Sequence, residues 1–275
     1  MNFRALLELC RISNLPTVWS NAVLGWLAGT TTNVWVYPRT SKSAPFSELR
    51  EGLIQRWPEV LGYRVVPLAL IFSLLYCGGM ILNDYLDRSI DAQERPNRPI
   101  PSGRVSPQTA LILGIASLLL GFAGMTAFEW QYHWIDHEPW RATAMVLLLC
   151  VVIVMYNLNH TRSAMSVLLM GLCRALIILS VATVVQPPVM HWAWWFFVAC
   201  PAATLMIYTV LISIVARNEM QPRWFGGPKT VMNMIAAMPL LDAVWLIAMG
   251  LWPASLFCVT CAGMTKLAHR KVAGS

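Results

Sequence analysis

Apolar runs alternate with short polar stretches along almost the whole chain. Eight runs come close to the ~20 residues that an α-helix needs to cross a bilayer. They cover about 14–30, 64–83, 107–128, 141–158, 164–186, 192–215, 230–250 and 252–268. The pattern predicts an all-α, polytopic transmembrane bundle of eight or nine helices, forming one domain over residues 1–275. Only Trp252-Pro253 separates the last two runs, which predicts a tight helical hairpin or one kinked element. The first long connection, about 31–63, carries Pro38, Pro45 and Pro58 and is expected to be exposed, with 46–55 and 57–63 as amphipathic helices on the membrane surface. Trp57, Trp130, Trp134, Trp140, Trp192, Trp194 and Trp195 gather at span ends, as in an interfacial aromatic belt. The amino-terminal MNFRALLELCRISNLP does not read as a cleavable signal, because Arg11, Ser13 and Asn14 interrupt it and no small-residue cleavage site follows.

Composition sharpens this picture. Charged residues make up 12% of the chain, against about 25% in soluble domains. A soluble enzyme is therefore excluded, and an integral, multi-pass membrane protein is expected, of the inner membrane in a bacterium. The net charge of +7 does not argue for nucleic acid, and no nucleic-acid-binding motif is visible. Basic residues in such a chain set orientation and meet anionic headgroups or phosphate ligands. Most of them fall on the side of the amino terminus if that terminus is cytoplasmic: Arg4, Arg11, the arginines after the second span, and those after the sixth and eighth. Arg39, Lys42, Arg50 and Arg56 in the 31–63 connection, with Arg64 just after it and Arg141, oppose this. The seven cysteines are scattered through apolar runs, and Cys258 and Cys261 read as packing, since a zinc site would need two more ligands.

The stretch that carries chemistry follows the second span: Asn83 to Gly103, NDYLDRSIDAQERPNRPIPSG. Asp84, Asp87 and Asp91 stand at i, i+3 and i+7, so on a helix their carboxylates share a face. Three like charges need a positive partner between them. Mg²⁺ is the natural candidate, because it takes one or two carboxylates and completes its octahedron with water and phosphate oxygens. Arg88, Arg95, Arg98 and Arg104 are placed to hold a diphosphate through charge-assisted hydrogen bonds. The plainer alternative is a charged loop with intrahelical ion pairs, such as Asp84 or Asp87 with Arg88.

The NDxxDxxxD spacing, its place after a membrane span and the tail RPNRPIPSG together resemble the first aspartate-rich motif of the UbiA superfamily of intramembrane prenyltransferases. The resemblance implies a helical bundle around a central cavity. It implies Mg²⁺-dependent transfer of a prenyl group from an isoprenoid diphosphate to a small lipophilic, aromatic acceptor in the membrane. Asp84, Asp87 and Asp91 would be metal ligands, and Asn83, Arg88 and Arg98 would contact the diphosphate. The metal and arginines would stabilise the departing diphosphate in a site that excludes water.

The family usually carries a second acidic cluster after the sixth helix. Here that segment reads Arg217-Asn218-Glu219-Met220-Gln221-Pro222-Arg223, and Glu219 is its one carboxylate. Glu219 is the candidate second-metal ligand, or else a partner for Arg217 or Arg223. Between the fourth and fifth spans, YNLNHTR puts His160 and Arg162 where the family has a Lys-Arg pair, making Arg162 the replacement cation. Arg174 lies inside the fifth span. An arginine there costs about 2.5–3.5 kcal/mol to insert, so it should face the interior and an anion. The four arginines after the second span cancel Asp84, Asp87, Asp91 and Glu94. A diphosphate therefore needs cations from elsewhere, and Arg162, Arg174, Arg217 and Lys229 are the candidates, with Asn21 as a polar contact from the first span. His133, Asp136, His137 and Glu138 read as a solvated turn. The reduced second cluster also fits a non-catalytic isoprenoid-binding or transport component that keeps only the first motif.

Overall fold

The computed structural model describes residues 3–36, 51–52, 54–132, 140–159, 164–185, 191–218 and 228–271. Its helices are α1 (Phe3–Leu9), α2 (Leu15–Val36), α3 (Val66–Leu86), α4 (Arg88–Glu94), α5 (Pro107–Tyr132), α6 (Arg141–Asn159), α7 (Ala164–Val185), α8 (Cys200–Asn218), α9 (Pro228–Ala248) and α10 (Trp252–Lys271). The eight long ones coincide with the eight apolar runs. Six stretches, built on α3 and α5 to α9, are long and apolar enough to cross a membrane.

The helix α2 is less apolar than these, and from Pro16 to Thr32 it is almost wholly enclosed by the other helices. Thr17, Ser20, Asn21, Thr31 and Thr32 are buried along with its Val, Leu and Ala side chains. The outer surface is instead built from exposed apolar residues, among them Leu70, Ile112, Leu119, Leu147, Ile207 and Val244. A water-soluble surface would not tolerate such an area, and a bilayer solvates it.

Two glycines explain how α2 reaches the centre. A Cβ on Gly25 would come within 2.9 Å of the Ile178 carbonyl oxygen, and one on Gly29 within 2.7 Å of that of Ala182. The two helices therefore touch backbone to backbone, as small residues permit in membranes. Positions rise together along both chains, so α2 and α7 run parallel, with Asn21 one turn before Gly25 and Arg174 one turn before Ile178.

Both α3 and α8 are entered through a five-residue π-helical turn, Leu61–Val65 and Trp195–Ala199. In each case a proline follows at the second residue of the α-helix, Pro67 and Pro201. Proline supplies no N–H and crowds the carbonyl four residues earlier. The wider turn absorbs that misfit, and Val66 and Cys200 bond back to Leu61 and Trp195. One consequence corrects the sequence reading: Trp57–Tyr63 is no separate surface helix but the start of a 30-residue element ending at Leu86. Of the proposed 46–55 helix, 46–50 and 53 lie outside the described residues.

The last two helices form a hairpin. Gly250, at φ 74°, donates to Ile247 and Leu251 donates to Leu246, the paired bonds of a Schellman cap. Leu246 and Leu251 are both buried beneath it.

Candidate active site

The backbone ladder does not stop at the end of α3. The Asp87 N–H donates to the Asn83 carbonyl at 2.9 Å, and the Asp91 N–H donates to the Asp87 carbonyl at 2.8 Å. The rod α3–α4 therefore carries Asp84, Asp87 and Asp91 as the spacing predicts. The chain then folds back over them. Ser102 caps the Arg98 carbonyl through its hydroxyl at 2.7 Å, and Gly103 turns the chain at φ 73°. Ile100 and Val105 are buried against Ala5, Leu9 and Ile81. Arg104 ties the loop to Glu8 of α1 at 2.7 Å and to the Asn97 carbonyl at 2.6 Å.

This return loop delivers Arg98 into the space between two aspartates. Its Nη1 lies 2.6 Å from Asp91 Oδ2 and 3.4 Å from Asp84 Oδ1. Arg11 reaches the same Asp84 oxygen at 3.0 Å. Asp84, Asp91 and Arg98 are each less than a tenth exposed. Arg11 is the one non-glycine described residue with positive φ, at 45°. Such a conformation costs about 1–3 kcal/mol and persists where surrounding contacts hold it. Here it separates α1 from the start of α2 and turns the guanidinium to Asp84. Asp87 is held differently, by the Asn83 side-chain amide at 2.9 Å.

Next to this cluster opens a cavity of about 360 Å³. Its mouth is polar, with Arg11, Asn83, Asp87, Arg95 and Arg98. Its depth is mostly apolar, with Phe72, Leu75, Leu149, Ile153, Ile177 and Met238, joined by Tyr76, Tyr156 and Arg174. One face of α3 supplies the wall from end to end: Phe72, Tyr76, Gly79, Met80, Asn83 and Asp87 recur at helical spacing.

Of the residues singled out in the sequence as candidate ligands of metal or diphosphate, Asn83, Asp87, Arg95, Arg98 and Arg174 line this cavity. Asp84 and Asp91 sit behind it, matched to arginines. Arg88 points away: it donates to the Tyr85 carbonyl at 2.8 Å and stacks on the Tyr85 ring at 4.4 Å. Arg217 is exposed and bonds the Ser166 hydroxyl, and Lys229 is exposed. Arg162 and Glu219 lie outside the described residues. Arg98 lies between Asp84 and Asp91, and the alternative pairing of Asp84 or Asp87 with Arg88 does not form.

Asn21 is fully buried and takes part in a network that sequence reasoning missed. Its Nδ2 donates to Asp242 Oδ2 at 2.8 Å, and its Oδ1 accepts from Arg174 Nη1 at 3.2 Å. The Arg174 guanidinium also lies over Tyr76, 5.7 Å from the ring centroid. Tyr76 in turn accepts from Asn14 at 3.2 Å, and Asn14 meets His269 of α10 at 2.7 Å. Asp242 had its own signal, since a carboxylate inside a membrane span marks function by default.

Among the described residues no three His, Cys, Asp or Glu side chains group as a metal cage. That donor set still suits Mg²⁺, which keeps several waters and binds by one or two carboxylates with substrate phosphates. Asp87 is the carboxylate on the cavity wall that would hold it.

The model of the UbiA prenyltransferase family matches residues 51–274. A digeranylgeranylglyceryl phosphate synthase of Methanothrix thermoacetophila is 54% identical over 55 residues, 19% of this chain and 21% of that protein. One from Saccharolobus solfataricus is 29% identical over 123 residues, 45% of this chain and 34% of that protein. The chain thus spans about a fifth to a third of the length of these relatives. A solved structure, described as giving structural and mechanistic insights into digeranylgeranylglyceryl phosphate synthase in membranes, superposes over 98% of this chain and 97% of its own. Its TM-score is 0.50 at 16% identity, a likeness of fold.

Proposed function

We propose that this chain, which belongs to the UbiA prenyltransferase family, transfers a prenyl group from an isoprenoid diphosphate to a small lipophilic acceptor inside the membrane. The observation that carries this reading is the cavity with an arginine- and aspartate-lined mouth and an apolar depth. A prenyl diphosphate has the same two ends. Arg98 spends only Nη1 on Asp84 and Asp91, and Arg11 spends Nη2 on Asp84, which leaves donors on both guanidinium groups for a diphosphate. Asn83 orients Asp87, the residue that would hold Mg²⁺ there. The bound ion would neutralise charge on the leaving diphosphate. Phe72, Tyr76 and Tyr156 present aromatic faces in the depth, where a developing allylic cation is stabilised by ring quadrupoles. The apolar walls keep water from capturing that cation.

The sequence resemblance favours an aromatic acceptor. The relatives' name, a synthase of digeranylgeranylglyceryl phosphate, points instead to a glyceryl phosphate acceptor that receives a geranylgeranyl group. Within the family, SNLPTVWSN, YNLNH, MGLCRA and ARNE look closest to the UbiA-like member of the ebo gene cluster.

The test is release of pyrophosphate from geranylgeranyl diphosphate by the purified chain in lipid nanodiscs, with Mg²⁺ and with a chelator. Mg²⁺-dependent release supports the enzyme. Binding without release, in the presence of lipid extract as acceptor source, supports the non-catalytic alternative, which the reduction of the second acidic cluster to Glu219 favours. The cytoplasmic amino terminus is checked in intact cells with the native cysteines replaced: Ser102→Cys should resist a membrane-impermeant thiol reagent added from the outside, and efficient labelling would invert the orientation.

A further inference from the structure

The mouth and the Arg174 network are separate stations. Tyr76 precedes Asp87 on one continuous helix wall, and eleven residues at 1.5 Å each put them about 16 Å apart along its axis. The Arg174 guanidinium lies over Tyr76, whereas a diphosphate spans only a few ångströms. A diphosphate held at Asp87 leaves the inner station for something else. Arg174 uses one of its five N–H donors, on Asn21, and makes no other hydrogen bond to a described residue. It stands on the cavity wall with donors to spare.

Charge decides what fits there. Asp242 is fully buried, and its carboxylate bonds the Asn21 amide. That bond fixes the amide, so that its oxygen faces Arg174. One guanidinium and one carboxylate, joined through one amide, leave the station formally neutral. Arg11, which lines the same cavity, is matched by Asp84. An anionic ligand group would then sit in a dry site with no cation of its own, which is expensive. A hydroxyl, phenol or carbonyl needs only a donor, and Arg174 provides it.

We infer that Asp242, acting through Asn21, is a specificity-determining residue that sets Arg174 to receive an uncharged hydrogen-bond-accepting group of the second substrate and to reject an acidic one. This rests on the prenyltransferase reading for there being a second substrate, but its test does not require turnover.

The probes are 4-hydroxybenzamide and 4-hydroxybenzoate, alike in size and different in charge, titrated at pH 8 into the full chain in nanodiscs with Mg²⁺ and inorganic pyrophosphate present. The wild-type chain is expected to bind the amide at least tenfold more tightly than the acid. Asp242→Asn still accepts the Asn21 amide but leaves Arg174 unbalanced, and should move the ratio at least tenfold toward the acid. Arg174→Gln should weaken the amide without that reversal. All three proteins should bind Mg²⁺-pyrophosphate alike, within twofold. Should Asp242→Asn fail to fold, Asn21→Asp, which adds a second carboxylate beside Arg174, should move the ratio further toward the amide. A wild-type preference for the acid, binding of neither probe, or an unchanged ratio in the variants overturns the inference. Loss of pyrophosphate binding in Arg174→Gln would return Arg174 to the diphosphate site. Failure of the wild-type chain to bind Mg²⁺-pyrophosphate would count against the prenyltransferase reading alone.

Discussion

Helices α3 and α8 begin alike and end differently. Each enters through a π-turn relieved by a proline, Pro67 or Pro201. Counted from that turn, Asp84 and Asn218 occupy the same position, the nineteenth residue of the helix. The same entry geometry on two helices points to two related halves of the chain. The exits show where that relation has been abandoned. The exit of α3 carries three aspartates, Asp84, Asp87 and Asp91, two of them gripped by Arg98 and Arg11. The exit of α8 carries Arg217, bonded to Ser166, and Asn218, with Glu219 next in sequence. The shared feature concerns backbone strain, which any helix with that proline must resolve. The divergent feature concerns charge, which only a ligand requires. The acidic chemistry has been concentrated on one exit.

Four substitutions probe that contrast, from strong to weak. Arg98→Leu leaves Asp84 and Asp91 buried without their shared cation. Removing one partner of a buried pair costs about 3–5 kcal/mol, so the melting temperature should fall by more than for any variant of the second exit. Asp87→Asn keeps the Asn83 contact within reach and should leave the melting temperature near wild type. Mg²⁺-dependent binding of geranylgeranyl diphosphate should drop by about 2–5 kcal/mol, as when one member of a desolvated charge contact is removed. Binding that survives this change would move the metal away from the first exit. Asn218→Asp restores a carboxylate at the position matching Asp84. It should tighten Mg²⁺-dependent binding by about 0.3–1 kcal/mol, the size of a partly exposed charge effect, and a larger gain would show that the second exit still shapes a metal site. Arg217→Gln changes an exposed side chain and should alter both stability and binding by no more than about 0.5 kcal/mol.

Much of this was legible in the chain before any coordinates. The eight long helices follow from the apolar runs, six of them long and apolar enough to cross a bilayer. The alignment of Asp84, Asp87 and Asp91 follows from spacing. What sits between those aspartates does not. Arg98 gets there because Ser102 and Gly103 turn the loop back, and Arg11 because its own backbone adopts a left-handed conformation. Spacing says nothing of either. Arg88 illustrates the converse. It is well placed by sequence to pair with the aspartates, yet the Tyr85 ring and carbonyl take it outward. Asp242 was within reach as the one carboxylate inside its span. Its partner was not, since Asn21 lies 221 residues away.

That separation bears on how the molecule is made. The contacts at the mouth are all encoded in the first part of the chain: Asp84 meets Arg98 across 14 residues and Arg11 across 73. Those charges can neutralise each other while the second half is still being synthesised, and α3 can enter the bilayer without a bare carboxylate at its end. The inner network has no such independence. Arg174 must find a residue made 153 positions earlier, and Asp242 must arrive before the amide between them is fixed. Closing such distant contacts is slow. The order of assembly should thus run from mouth to depth, and a chain halted after α7 would carry a finished anion site above an arginine with no carboxylate to balance it.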